Sequence, residues 1–317
     1  MRFFNTSGPV VAEDHYCIPP LERLDLSEVL RLVRDKRYFV LHAPRQTGKT
    51  SVLLALRDLL NAEGTYRCVY VNVEVGQAGR EDTQRAMQAI LGELALRTRQ
   101  ALQDEFVEEI WFEALQHYGP DGALRQVLSR WAAADPMPLV LLIDEIDSLV
   151  GDTLVSVLRQ LRAGYDLRPG DFPQSVVLCG VRDVRDYRIQ STTENAIITG
   201  GSAFNIKARS LRLGDFSRAE VQTLLGQHTA ETGQVFTAEA LNAVWTQTQG
   251  QPWLVNALAD EACFYGDAAQ DRHRPVTAEA IRAAQEQLIL RRETHLDQLA
   301  DKLKEERVRR VVEPLLS

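Results

Sequence analysis

One run of nine residues, His42-Ala43-Pro44-Arg45-Gln46-Thr47-Gly48-Lys49-Thr50, constrains the fold more than any other stretch, because of what flanks it. Before it, Tyr38-Phe39-Val40-Leu41 is short, apolar and β-rich; after it, Ser51 to Leu60 places leucines at helical spacing. Strand, glycine-containing loop and helix, in that order, are the setting in which backbone N–H groups wrap a phosphate at the positive end of a helix. Lys49 then supplies a mobile cation, Thr50 a hydroxyl suited to Mg2+, and Gly48 the close backbone approach. The pattern G-x-x-x-x-G-K-[ST] carries Ala43 at its first position, which is admissible where that residue needs no positive φ.

A second run narrows the reading. Leu139-Val140-Leu141-Leu142-Ile143 is continuously apolar and ends in Asp144-Glu145. Such a run reads as a strand buried on both faces of a parallel sheet, and the carboxyl ends of parallel strands form the ligand crevice. Asp144 is thereby expected beside the loop, holding Mg2+ through its water shell, with Glu145 activating an attacking water as general base. Asp144, Glu145 and Asp147 also suit plain helix capping after a core strand, so that reading stands beside the first.

The bulk properties exclude several classes. A chain of 317 residues has room for two domains at ~100–200 residues each. Its 45% hydrophobic and 25% charged content argues against disorder, and no apolar stretch approaches the ~18 residues of a membrane span. Met1-Arg2-Phe3-Phe4-Asn5 lacks the apolar core of a signal peptide. A net charge of −8 disfavours a general polyanion-binding surface, which makes nucleic acid an unfavoured partner. Cys17, Cys68, Cys179 and Cys263 are isolated and the six histidines scattered, so the cysteines read as reduced core residues of a cytoplasmic protein and not as zinc ligands.

Along the chain, Pro9, Pro19 and Pro20 keep the first 20 or so residues extended, and Leu21 to Arg34 has helical spacing. Strands are expected over Tyr66 to Val73, Ser175 to Val181 and Ile206 to Leu213, in addition to the two above. A long helical region from Arg80 to Ala134 is interrupted near Gly119-Pro120 and Asp135-Pro136, and another helix covers Thr153 to Tyr165. Alternating βα units of this kind imply an α/β fold with a parallel sheet under helices. Beyond Asp215 the pattern is helical only: Ser217-Arg218-Ala219-Glu220 is a capping box, Thr237 and Thr277 start helices, and Gly250-Gln251-Pro252-Trp253 is a turn with proline opening a helix. The expected division is residues 1–214 as nucleotide-binding domain, 215–290 as helical lid, and 291–317 as a C-terminal helical segment. The apolar ending Val311-Val312-Glu313-Pro314-Leu315-Leu316-Ser317 reads either as the start of a further domain or as a docked helix.

With Ala-Pro-Arg-Gln-Thr-Gly-Lys-Thr, Leu-Leu-Ile-Asp-Glu-Ile-Asp and Gly250-Gln251-Pro252 in place, the chain resembles the AAA-like P-loop ATPases, and within them the archaeal-ATPase and STAND-type branch, over residues 10 to 290. The resemblance implies a three-layer P-loop NTPase fold with sheet order 5-1-4-3-2, followed by a smaller helical lid. It implies ATP and Mg2+ as cofactors, with Ala43, Pro44, Arg45, Gln46, Thr47, Gly48, Lys49, Thr50 and Ser51 around the phosphates, Thr50 and Asp144 at the metal, and Lys49 and Glu145 in catalysis. Pro252 would pack near the base, with plain helix initiation as the other reading. Ser175 to Gly180 matches the sensor strand, so Arg182 would read the γ-phosphate; equally, Arg182, Arg185 and Arg188 suit a solvated helix start. Asn72 is placed like a polar switch residue for the catalytic glutamate, against a capping role, and His15 to Pro19 like the segment on the adenine side, against an ordinary edge segment.

The function expected is that of a Mg-dependent ATPase acting as a nucleotide-driven switch, exchanging ATP and ADP and working through a protein partner or self-association. A signalling scaffold with little turnover and a P-loop kinase are the alternatives; Asp144-Glu145, a pair suited to activating water, weighs against the kinase. A DNA-associated motor is disfavoured by the lack of a basic, aromatic-interleaved segment.

Overall fold

The chain opens with two short strands, β1 (Phe3–Phe4) and β2 (His15–Tyr16), paired in parallel. They are seen in a computed structural model that describes residues 1–80, 82–182, 189–190, 197–198 and 208–291. Two compact units emerge: Pro19–Gly214, and Met1–Ile18 together with Asp215 onward. The first 18 residues, grouped above with the sheet domain, therefore belong with the helices. The reason is apolar burial: Phe4, Tyr16 and Ile18 share a core with Val221, Leu224, Leu225, Phe236 and Val255.

In the sheet unit, α1 (Leu26–Arg34) leads to β3 (Phe39–His42), and α2 (Lys49–Ala62) to β4 (Arg67–Asn72). Helices α3 (Thr83–Leu102), α4 (Phe106–Tyr118) and α5 (Ala123–Ala134) precede β5 (Leu139–Asp144); α6 (Gly151–Ala163) precedes β6 (Ser175–Gly180). A short antiparallel pair, β7 (Ile189–Gln190) and β8 (Ile197–Ile198), and then β9 (Arg209–Arg212) complete the strands. The five-stranded sheet runs β4-β5-β6-β3-β9, all parallel. Counting these five strands in chain order and reading from the other edge, that is 5-1-4-3-2. β5 and β6 are buried at every position, as their unbroken apolar runs require.

Alternate residues of each strand face opposite layers. Val69, Val71, Leu141, Ile143, Val176 and Leu178 pack against α3, α5 and α6, while Cys68, Tyr70, Val140, Leu142, Val177 and Cys179 pack with Val52, Leu53 and Leu56 of α2 and Val29 and Val33 of α1. The sandwich puts the carboxyl ends of β3, β5 and β6 at one edge. Two expected helices are shorter than their periodicity suggests. Leu21 to Arg34 breaks at Asp25, whose carboxylate caps Glu28 N, and the Arg80 to Ala134 region breaks a further time at Gln103, left-handed at φ 54°, before Asp104 accepts from Phe106 N.

The helical unit holds α7 (Arg218–Thr232), α8 (Ala238–Thr248), α9 (Pro252–Asp260) and α10 (Ala278–Leu290). Ser217 and Glu220 form the capping box, and Thr237 and Thr277 cap α8 and α10. Phe4, Tyr16, Phe236 and Phe264 surround the buried ring of His228. Gly250 joins α8 to α9 at φ 80°, and a Cβ there would lie 1.9 Å from Phe216 O, whose own N–H donates to Gly250 O at 2.8 Å. Gly250→Ala is accordingly expected to destabilise this unit by at least about 2 kcal/mol, from the left-handed backbone plus the clash. Gly226→Ala, at an exposed position of α7 with open space around the added carbon, is the matching control and should stabilise by up to about 1 kcal/mol. Thermal denaturation of both variants checks the pair; a Gly250→Ala melt equal to wild type would remove the close approach from the account.

Candidate nucleotide-phosphate site

The loop between β3 and α2 is shaped by three local features. Ala43 is absent from the residues with positive φ and is fully buried, its N–H donating to Gly180 O, so a methyl group at the first motif position costs nothing. The turn is made instead by Gln46 at φ 60° and Gly48 at φ 88°. Thr47 is buried and its hydroxyl donates across the loop to Pro44 O at 2.9 Å. Pro44 and Arg45 are exposed. Gly48 serves as the N-cap of α2, which has no side-chain cap and no acid in its first turn, so the positive end of the helix keeps its field for an anion.

Lys49 is 5% exposed and folds back over the loop, its Nζ donating to Ala43 O and Pro44 O at 3.0 Å each. Thr50 Oγ1 donates to Asp144 Oδ2 at 2.7 Å, which joins the loop to the end of β5. Asp144 is fully buried; the same Oδ2 accepts from Tyr70 at 3.0 Å and Oδ1 from Glu145 N at 2.9 Å. Ser51 is buried in the first turn of α2.

Glu145 is half-buried and left-handed at φ 55°, a conformation sparsely used by residues other than glycine and concentrated at functional sites. Burial, then the neighbouring Asp144 carboxylate, push its carboxyl above the ordinary range, with Lys49 pulling the other way. Asp147, in the following turn, accepts from Val181 N at 3.2 Å and so ties the acidic turn to the end of β6, where Arg182 is exposed. Arg185 and Arg188 lie outside the described residues. Asn72 sits opposite Asp144 in the sheet, but its Oδ1 accepts from Glu74 N; the capping role is the one it fills.

Two expected contributors belong to the other unit. Pro252 is the buried first residue of α9, and His15 to Ile18 belong to the helical unit. One contributor has no sequence signature. Arg23, in the turn Pro20–Arg23, donates from one guanidinium nitrogen to Thr47 O of the loop and from another to Gly214 O at 2.8 Å. Its Nη1 stands 2.7 Å from where a Cβ on Gly48 would be, so the space beside that glycine is filled from outside the loop.

The donor set suits a phosphorylated ligand with Mg2+: a lysine and a helix N-terminus for phosphate oxygens, one hydroxyl and one carboxylate for a hard cation. Mg2+ takes few protein oxygens and keeps much of its water, and no cluster of three or more His, Cys, Asp or Glu suited to a metal occurs among the described residues. Parallel three-layer sheet, left-handed glycine, lysine at the helix start and an acid-terminated neighbouring strand together define the class, a P-loop NTPase of AAA-like fold. Residues 33–187 match the family model described as an AAA domain, and this stretch is an AAA domain of the AAA-like P-loop ATPases. No curated protein matches. Among solved structures, a Walker-type ATPase of Pyrococcus abyssi is similar at 16% identity and TM-score 0.55, over 94% of this chain and 79% of that one. Cdc6p from Pyrobaculum aerophilum is similar at 18% identity and TM-score 0.53, over 84% of this chain and 65% of that one, so the chain spans just under two thirds of that protein. At these identities the likeness is one of fold. No helix of the described residues is long and apolar enough to cross a membrane.

Proposed function

We propose that the sheet unit binds ATP with Mg2+ and hydrolyses it to ADP and phosphate, and that the chain acts as a nucleotide-driven switch of the STAND-type branch. The observation that carries the reading is the 2.7 Å bond between Thr50 Oγ1 and Asp144 Oδ2, which brings the two sequence motifs to one point. Bound Mg·ATP would supply an electrophilic γ-phosphoryl group whose charge is drawn off by the metal. Lys49 and the loop N–H groups would hold the phosphates, Thr50 and Asp144 the metal side, and Glu145 would orient a water and take its proton. Arg182 would sense the γ-phosphate from the end of β6. The switch reading is supported by Arg23, which grips both Thr47 O of the loop and Gly214 O, the last residue of the sheet unit, so a shift of the loop is felt where the chain leaves that unit. Self-association or a protein partner would complete the switch, and four free cysteines suit a cytoplasmic setting.

Calorimetry with a non-hydrolysable ATP analogue, with and without Mg2+, and phosphate release from ATP with no second substrate test the reading. Binding strengthened by Mg2+, with steady release of phosphate, is the expected result. Release that requires an added hydroxyl acceptor would favour a kinase, binding without release would favour a scaffold, and no binding in either condition would sink the proposal.

A further inference from the structure

The geometry points to Tyr70 as the positioning residue of the metal-side carboxylate, Asp144, a role that rests on the nucleotide reading above. The placement follows from sheet register. β4 pairs with β5 so that Asn72 lies opposite Asp144 and Tyr70 opposite Leu142. Side chains two residues apart on adjacent strands share a face, and the ~7 Å between those levels is about the reach of a tyrosine. The Tyr70 ring is 5% exposed among Cys68, Val140, Leu142 and Cys179, and its hydroxyl emerges 3.0 Å from Asp144 Oδ2.

That oxygen is the one that also takes the Thr50 hydroxyl at 2.7 Å, while Oδ1 takes Glu145 N at 2.9 Å. An ionised carboxylate offers about four lone-pair positions. Thr50, Tyr70 and the backbone of Glu145 use three of them, the Cys179 thiol also bonds the carboxylate, and together these donors fix the plane of the group. Core packing alone asks only for the ring, which phenylalanine supplies equally.

Tyr70→Phe tests this directly. Binding of a non-hydrolysable ATP analogue is measured by calorimetry without Mg2+ and over a Mg2+ titration, with melting followed by circular dichroism. Affinity without Mg2+ should match wild type, while the gain on adding Mg2+ should fall about tenfold or more, the scale of one lost hydrogen bond to a charged group. In an Asp144→Ala background the same change should add nothing, because the tyrosine acts through that carboxylate. If wild type binds no nucleotide, or binds it with no gain from Mg2+, the nucleotide reading falls and this inference with it. If wild type shows the gain and Tyr70→Phe keeps all of it, whatever its melting temperature, Tyr70 is a core residue and only this inference is overturned.

Discussion

A Lys49→Ala protein is expected to fold and to lose at least about 100-fold in affinity for ATP, close to 2.7 kcal/mol. The lysine is the first residue of α2, and its Nζ is held 3.0 Å from both Ala43 O and Pro44 O, so the cation is parked inside the loop that would surround the phosphates. Charge-assisted bonds to phosphate are each worth ~1.5–3 kcal/mol, and alanine can make none. The fold has separate support, because α2 is anchored by Val52, Leu53, Leu56 and Leu60 against the sheet. Some loss of melting temperature is expected, since Ala43 O and Pro44 O each lose a donor, but the cooperative transition should remain. Calorimetry on a sample shown to be folded decides the matter; wild-type affinity in such a sample would mean that the loop does not hold phosphate.

How far the sequence alone reaches depends on whether a feature is local. The inner strands were legible because each is a short unbroken apolar run ending at a loop of distinct chemistry, while their order was implied only by the resemblance to the AAA-like P-loop ATPases. The break at Gln103 was not, since Leu102-Gln103-Asp104-Glu105 contains neither glycine nor proline, and the left-handed turn there depends on the carboxylate of Asp104 receiving Phe106 N and the Trp131 indole. Residues 1–18 show no periodicity because their strands are two residues long, so their membership of the helical core is set by Phe4 and Tyr16 finding His228 in space. In the candidate site, the loop and the acidic strand end have fixed spacing and could be read, and the fold brings Thr50 and Asp144 into contact. Arg23 and Tyr70 have no spacing rule: one acts across 24 positions in sequence and the other across 74, and only the folded sheet makes them neighbours.

Glu145→Gln should separate holding the nucleotide from breaking it. The amide keeps the size and the acceptor oxygen of the carboxylate but cannot take a proton, so ATP should bind as before while turnover falls by ~10²–10⁴-fold, the usual cost of a lost general base. The pH profile gives an independent check. Burial and the Asp144 charge raise the Glu145 carboxyl above the ordinary value of 4.5, and a general base works only when ionised, so wild-type turnover should fall on acidification through that raised value, a limb absent from the variant. Stability should respond in the opposite sense. A carboxyl whose pKa is raised in the folded state binds its proton more strongly there than in the unfolded chain, so its contribution is fully present below the ordinary value and is lost as pH rises through the raised one. Glutamine removes that loss, and the variant should melt above wild type at neutral pH with the difference closing as pH falls. Equal turnover in wild type and Glu145→Gln, both above a Lys49→Ala control, would take Glu145 out of the chemistry; unequal turnover without the acid limb in wild type would leave it orienting the water while the proton goes elsewhere.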